Sequence, residues 1–460
     1  MGALSGEADE GLRVVWPDDP AYAAARGGLS RSAVVPRDRP AAVARATSTD
    51  QVVEAMALAE QHDLTVAVRS GGHSLAFAGL REGTLALDLR GLDEVTVDAA
   101  SRRAYVGPGV TSLALAEALE GTGLAFPVGH SGEVGLGGFL LAGGNGWNQG
   151  RWGSAAESVL GADLVLADGT RLRVDDRRET REALALLGGA GPGYPAVVTG
   201  FHLRLHPAPT VRRRALTFTP DRVREAAALA GRVTAVAEAD LETTTVVARD
   251  GDEVTITVSA TAHGLDAHHA LRLLDVVDGP EVDRATTVED EPTTLAAMLG
   301  VRTEPDGLAQ VSQQAWSRLG PADVLAAVTD AVARAPGAYS SVLVTGASVR
   351  RDVPPREDLA YLPLGSLSVA AYAGWLPENG AEDGAENDAA DALDRHRAWT
   401  EETVGTLREH WTGHYVGEVD LRATPERLER CFRPGMLARV EALRARLDPG
   451  GRLAAYPGRR

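Results

Sequence analysis

The chain has 460 residues, of which 44% are apolar, and 64 acidic against 46 basic side chains give it a formal net charge of −18. That length predicts two domains, that composition an ordinary globular protein, and that charge argues against nucleic acid or an anionic membrane surface as a partner. The single cysteine, Cys431, excludes an internal disulfide framework, and the complete lack of lysine excludes a P-loop and Schiff-base chemistry, which both need its amine.

Taken in order, residues 1–7 show no basic region followed by an apolar stretch, and Gly6 stands where a myristoylation signal needs Ser or Thr. No apolar run approaches a bilayer span, so a cytoplasmic protein is expected. Residues up to about 39 read as loops tied down by Trp16, Tyr22, Pro36 and Pro40. Residues 47–62 read as a helix, with Ser48 and Gln51 as a capping box and Val52, Met56 and Ala59 on one face. Residues 64–69 form a strand, and Leu85, Leu87 and Leu89 alternate as a second. Residues 95–97 and 104–106 pair as a hairpin. A helix over 113–119 stops at Gly121 and Gly123. Residues 163–167 and 170–174 flank Asp168-Gly169 as another hairpin. Residues 188–194, rich in glycine, lead into a strand over 197–203, and His206-Pro207-Ala208-Pro209 breaks the pattern.

Beyond that break the texture changes to strands alternating with amphipathic helices. Helices are expected over 221–237, 266–277, 322–335 and 397–411. Strands are expected over 242–249 and 254–260, joined at Asp250-Gly251, and over 341–345 and 366–372. The acidic, glycine-dotted stretch 377–391 reads as a solvated loop.

The chemistry gathers in two glycine clusters. One is Arg69-Ser70-Gly71-Gly72-His73-Ser74. The other runs Gly129-His130-Ser131-Gly132-Glu133-Val134-Gly135-Leu136-Gly137-Gly138, then Gly143-Gly144-Asn145 and Trp152-Gly153. Glycines let backbone N–H groups turn inward toward a ligand, and successive inward N–H groups make an anion-binding nest. Ser70 and Ser74 add hydroxyl donors, so a pyrophosphate is the group these loops suit. Either cluster alone reads as a tight turn; two of them, each beside a strand, favour the nest.

Competing motifs are weaker. Gly129-His130-Ser131-Gly132-Glu133 begins like a nucleophile elbow but lacks the closing glycine. Gly135-Leu136-Gly137 begins like a dinucleotide fingerprint, but Leu140 takes the last glycine's place. His410 and His414 have metal-like spacing without the inner glutamate of a zinc protease, and the adjacent His268 and His269 point to different faces of a helix.

At the two glycine clusters the sequence resembles the FAD-linked oxidases of the vanillyl-alcohol oxidase and p-cresol methylhydroxylase superfamily, nearest to the berberine-bridge-enzyme-like branch. The resemblance covers nearly the whole chain and is strongest over 39–207. It implies an α+β, two-domain FAD-binding fold of the p-cresol methylhydroxylase type with a mixed-sheet substrate domain: residues 1–207 and 415–460 around the cofactor, residues 208–414 over the substrate. It implies FAD bonded through its 8α-methyl group to His73 and held by Arg69 to Ser74, by Gly129, His130, Ser131, Val134, Gly135, Gly137, Gly138, Gly143, Gly144 and Asn145, by Trp152 and Gly153, and by Val197 and Val198. Many members of the branch add a cysteinyl link where this chain has Ser131. Serine cannot form that thioether, so one covalent link is expected. The tail motif Leu447-Asp448-Pro449 has leucine in place of the family's tyrosine.

The resemblance also implies the reaction, in which flavin is the electron sink and the protein supplies orientation and electrostatics. A base must take a proton from the substrate. The family uses a tyrosine where this chain reads Tyr415-Val416-Gly417-Glu418-Val419-Asp420. Glu418 stands at that place, and against an apolar wall its pKa is expected to rise; Tyr415, Tyr372 and Tyr361 are the alternatives. Glu133 is expected to turn from the flavin or pair with an arginine. Val134 occupies what the family treats as an oxygen gate, and valine there favours O₂ as acceptor, giving H₂O₂. The expected protein is an oxidase of small organic molecules, a monomer or homodimer, and its arginine and alanine bias suits a bacterial enzyme of secondary metabolism. A dehydrogenase, a cyclase with a structural flavin, and a binding protein that has lost the cofactor are the alternatives.

Overall fold

A computed structural model describes residues 11–236, 239–301, 304–346, 356–377 and 385–456. The expectations for residues 1–7, for Ala237 and for the end of the tail therefore fall outside the described residues. Among the described residues, four sheets and the helices between them make an α+β fold.

The first sheet orders Arg13–Val15, Ala42–Arg45, Leu85–Asp88 and Val66–Arg69 side by side. Its inner pairs are parallel. Every residue of Leu85–Asp88 is buried, so Ala86 is as deep as the leucines flanking it, as a strand covered on both faces requires. The helix Thr49–Gln61 covers one face with Val52, Ala55, Met56 and Ala59. Its cap departs from a simple box: the Ser48 hydroxyl accepts from the Gln51 N–H, but the Gln51 side chain accepts from Thr47. The N-terminal anchors hold as well, with Trp16 against His62 and the Tyr22 hydroxyl donating to the Pro40 carbonyl.

The second sheet is antiparallel. It contains Val95–Asp98, Arg103–Val106, Val197–Arg204, Val159–Val165 and Arg171–Asp175, including both expected hairpins. Residues 206–207 leave it to pair with Leu124–Ala125. The third and largest sheet orders Thr287–Thr293, Thr210–Phe218, Glu253–Gly264, Leu241–Asp250, Ser341–Gly346, Leu367–Trp375, Ala309–Ser317 and Trp411–Gly413. Its pairings are antiparallel; among the described residues, the parallel strand pairs lie in the first sheet.

Several elements depart from the sequence expectation, among them the helix Tyr22–Gly27 within the expected N-terminal loops and the strands Thr210–Phe218 and Thr287–Thr293. Within 377–391, the segment from Ala385 onward opens the helix Ala385–Gly405 rather than a loop. Asp388, Asp391 and Asp394 face solvent, while Leu393, His396, Thr400, Thr403 and Val404 form a buried stripe at helical spacing. That helix ends early, and Trp411–Gly413 is a strand. The strand Ala309–Ser317 went unread because it is half polar (Ala-Gln-Val-Ser-Gln-Gln-Ala-Trp-Ser), yet each of its residues is buried. The chain then returns to its start: Val66 N–H donates to the Arg452 carbonyl, and Ala454 N–H to that of Val66.

Candidate active site

A cavity of about 1170 Å³ lies between the glycine loops and the largest sheet. The loop after Val66–Arg69 forms one side. Gly71 and Gly135 meet backbone to backbone there: a Cβ on Gly71 would lie 2.5 Å from the Gly135 nitrogen, and one on Gly135 would lie 2.5 Å from the Gly71 nitrogen. Only glycine at both positions lets the loops touch. The Ser70 hydroxyl ties them together by accepting from Gly138 N–H at 3.0 Å. Arg69 is a fastener. Its buried guanidinium pairs with Asp88 at 3.1 Å and donates to the carbonyls of Leu29 and Gly71, and desolvation brings its pKa down to about 10, with Asp88 opposing. Gly72, at φ +70°, leaves no room for a Cβ beside that guanidinium. Among the described residues, the N–H groups of Gly71, Gly72 and His73 donate to no protein acceptor, which leaves a nest for an anion.

His73 lines the cavity, and its Nε2 has no hydrogen-bond partner among the described residues. Desolvation, with Arg31 adding to it, pushes the imidazole down to about 3, so it is neutral and nucleophilic near pH 7. A buried, unpartnered ring nitrogen beside an anion nest fits a flavin held at both its pyrophosphate and its ring. Ser70, Ser74, Gly129, His130, Ser131, Val134, Gly137, Gly138, Asn145 and Val198 line the same cavity. Glu133 comes within 4.0 Å of the Arg31 guanidinium.

Gly143, Gly144, Trp152, Gly153 and Val197 stand elsewhere. Gly143 and Gly144 are packing glycines at positive φ, where a Cβ would strike the Tyr361 ring in one case and Ala155 in the other. Trp152 is buried and stacks on His206 at 4.7 Å. Gly153 ends the short helix Gln149–Trp152. Val197 pairs with Val165, and its side chain joins the core beneath the first sheet.

All three proposed catalytic side chains, Glu418, Tyr415 and Tyr372, reach the cavity. The strand Ala309–Ser317 holds the segment that carries Glu418. Ser312 donates to the Glu418 carbonyl at 3.2 Å, and the side chain of Gln314 accepts from Tyr415 N–H. The side chain of Gln313 accepts from Asp420 N–H, and Arg397 pairs with Asp420 at 3.1 Å. Desolvation raises the Glu418 carboxyl to about 7, against a hydrogen bond from the Tyr372 hydroxyl that lowers it. Desolvation also raises Tyr372 well above its ordinary value, and Tyr415 and Tyr361 rise for the same reason. Among these four, Glu418 alone is drawn to neutrality. Tyr361 is buried, with its hydroxyl donating to Asn145.

The roof was illegible in the sequence. The largest sheet turns one face, with Leu216, Phe218, Val247, Ile256, Val258, Val342 and Val369, onto its helices. The other face gives the cavity Arg213, Thr244, Val246, Thr257, Ser259, Ser312, Ser341, Leu343 and Tyr372. Ser312 and Ser341 sit directly across from Tyr372 on its two neighbouring strands. The alternation of Thr244 with Thr245 and Val246 with Val247 gives no sign of which face borders a ligand.

Comparison with known proteins bears on this arrangement. An FAD binding domain family matches residues 40–175. An FAD-linked oxidoreductase of Penicillium ochrochloron is 38% identical over 197 residues, 43% of each chain. Among solved structures, 6-hydroxy-D-nicotine oxidase of Arthrobacter nicotinovorans superposes with a TM-score of 0.80 at 23% identity, over 98% of each chain. A berberine-bridge-enzyme-like protein of Physcomitrella patens superposes at 0.79 and 20% identity, over 97% of this chain and 96% of that one. The chain spans less than half the length of the curated relatives it matches. It thus carries an FAD-binding domain inside the α+β fold of the p-cresol methylhydroxylase type. Residues 40–175 resemble an FAD binding domain, and the chain as a whole shares its fold with the 6-hydroxy-D-nicotine oxidase and berberine-bridge-enzyme-like structures. Among the described residues no helix is long and apolar enough to cross a membrane.

Proposed function

We propose that the protein is an FAD-dependent oxidase of a small organic molecule, with residues 1–207 and 415–460 holding the cofactor and residues 208–414 roofing the substrate. One observation carries the reading: neutral, unpartnered His73 and near-neutral Glu418 face one cavity, so an attachment nucleophile and a base serve one occupant. Bound FAD supplies the two-electron acceptor. The nest at Gly71, Gly72 and His73 would bind its pyrophosphate, and His73 would bond its 8α-methyl carbon. Ser131 lacks the sulfur for a second link. Glu418, ionised above about pH 7, takes the proton from a substrate O–H or N–H, while Tyr372 holds the carboxylate in place. Val134 on the cavity wall leaves room for O₂ as acceptor, which gives H₂O₂. Alcohols, amines and activated C–H bonds are the matching substrate classes. The arginine-only basic charge suits a bacterial enzyme of secondary metabolism working in the cytoplasm as a monomer or homodimer.

The test is to mix the purified protein with a panel of such compounds without oxygen and then admit air. Loss of visible flavin absorbance followed by H₂O₂ release is expected. Product formed with no change in absorbance would make the flavin structural and overturn the oxidase assignment.

A further inference from the structure

A second cavity, of about 20 Å³, adjoins the first and shares His130 with it. A space of that size holds one water molecule if it offers polar partners. Glu242, Thr244 and Trp316 line it too. Trp316 is 1% exposed, and its Nε1–H has no hydrogen-bond partner among the described residues. Glu242 is buried, accepts from Gln149 N–H at 3.0 Å, and meets His263 Nε2 at 3.1 Å. A buried indole donor beside a buried carboxylate is a pair that one water completes.

We infer that this pocket is a built water site, and that its water joins cavity-facing His130 to the buried Glu242–His263 pair as a proton relay separate from Glu418. When a proton from the cavity makes His130 an imidazolium, one of its N–H bonds breaks as the water takes the proton, the ring returns to neutral, and the water passes one of its own protons to a Glu242 oxygen. The reverse restores the start, and no electrons move. Glu242 and His263 are thus positioning residues that set the protonation of a group on the cavity wall. Desolvation lowers the His130 pKa first, Glu242 opposes that shift, and His263 adds to it. The next charges outward are the paired Arg151 and Asp240. The role of the relay rests on the oxidase reading of the main cavity, whereas its existence is tested without turnover.

The experiment is a histidine NMR titration of the holoenzyme and its variants, beside a high-resolution crystal structure. A water within hydrogen-bond distance of Trp316 Nε1 and Glu242 is expected, and Glu242→Gln should lower the His130 pKa by about half a unit or more. If Glu242→Gln fails to fold, Trp316→Phe should lose the water and shift His130 the same way. A dry pocket, or a His130 titration unmoved in a folded variant, overturns the relay, and neither result touches the oxidase reading.

Discussion

The floor and the roof of the cavity are built by opposite means. The floor is backbone: Gly71 against Gly135, Gly72 against a locked Arg69, and N–H groups left free to bind an anion. The roof is side chain: hydroxyls, Arg213, Tyr372 and the Glu418 segment, held up by a sheet whose far face is ordinary apolar core. A backbone site accepts one kind of ligand and almost no substitution. A side-chain site can be rebuilt residue by residue while its sheet stands. The floor should therefore fix the cofactor, and the roof the substrate.

The largest expected effect of a single substitution falls where the two meet. Glu418→Gln should slow anaerobic flavin bleaching by roughly 10²–10⁴-fold while the protein stays yellow, in stopped-flow measurement. An unchanged rate would move the base elsewhere. On the floor, Gly71→Ala or Gly135→Ala should cost about 1–3 kcal/mol in denaturant unfolding and release FAD on gel filtration, because the added carbon meets backbone that cannot move aside. A variant of either kind that keeps full flavin would break the comparison.

The pH behaviour sharpens it further. Activity should rise with pH through about 7 as Glu418 ionises. Because the folded-state pKa lies above the unfolded value, the native state binds the extra proton between about pH 4 and 7, and stability is lost as pH rises through that window. Glu418→Gln should remove this loss and stabilise the protein by roughly 1–3 kcal/mol at pH 8, with little change at pH 4. Melting curves at the two pH values read the difference. The smallest effect belongs to the roof: Arg213→Met should change KM and substrate preference several-fold without loss of flavin.

The same contrast explains what the sequence disclosed. Glycines with steric reasons are visible as letters, so the floor loops and His73 stood out, though Gly143 and Gly144 carried the same letters for packing against Tyr361 and Ala155. Glu418 was legible only through its place in a motif; that it sits near neutrality depends on burial that no local spacing encodes. The roof strand Ala309–Ser317 was hidden because its Ser312, Gln313 and Gln314 are satisfied by residues about a hundred positions away. The helix beginning at Ala385 was hidden because its acidic exposed face outweighs its buried stripe.

The central claim is that His73 carries the flavin, and alone. The direct measurement is to precipitate the purified protein with acid and record the visible spectrum of the pellet. Yellow colour in the wild-type pellet, absent for His73→Ala and unchanged for Ser131→Ala, is the predicted result. Colour that passes wholly into the supernatant of the wild type would contradict it.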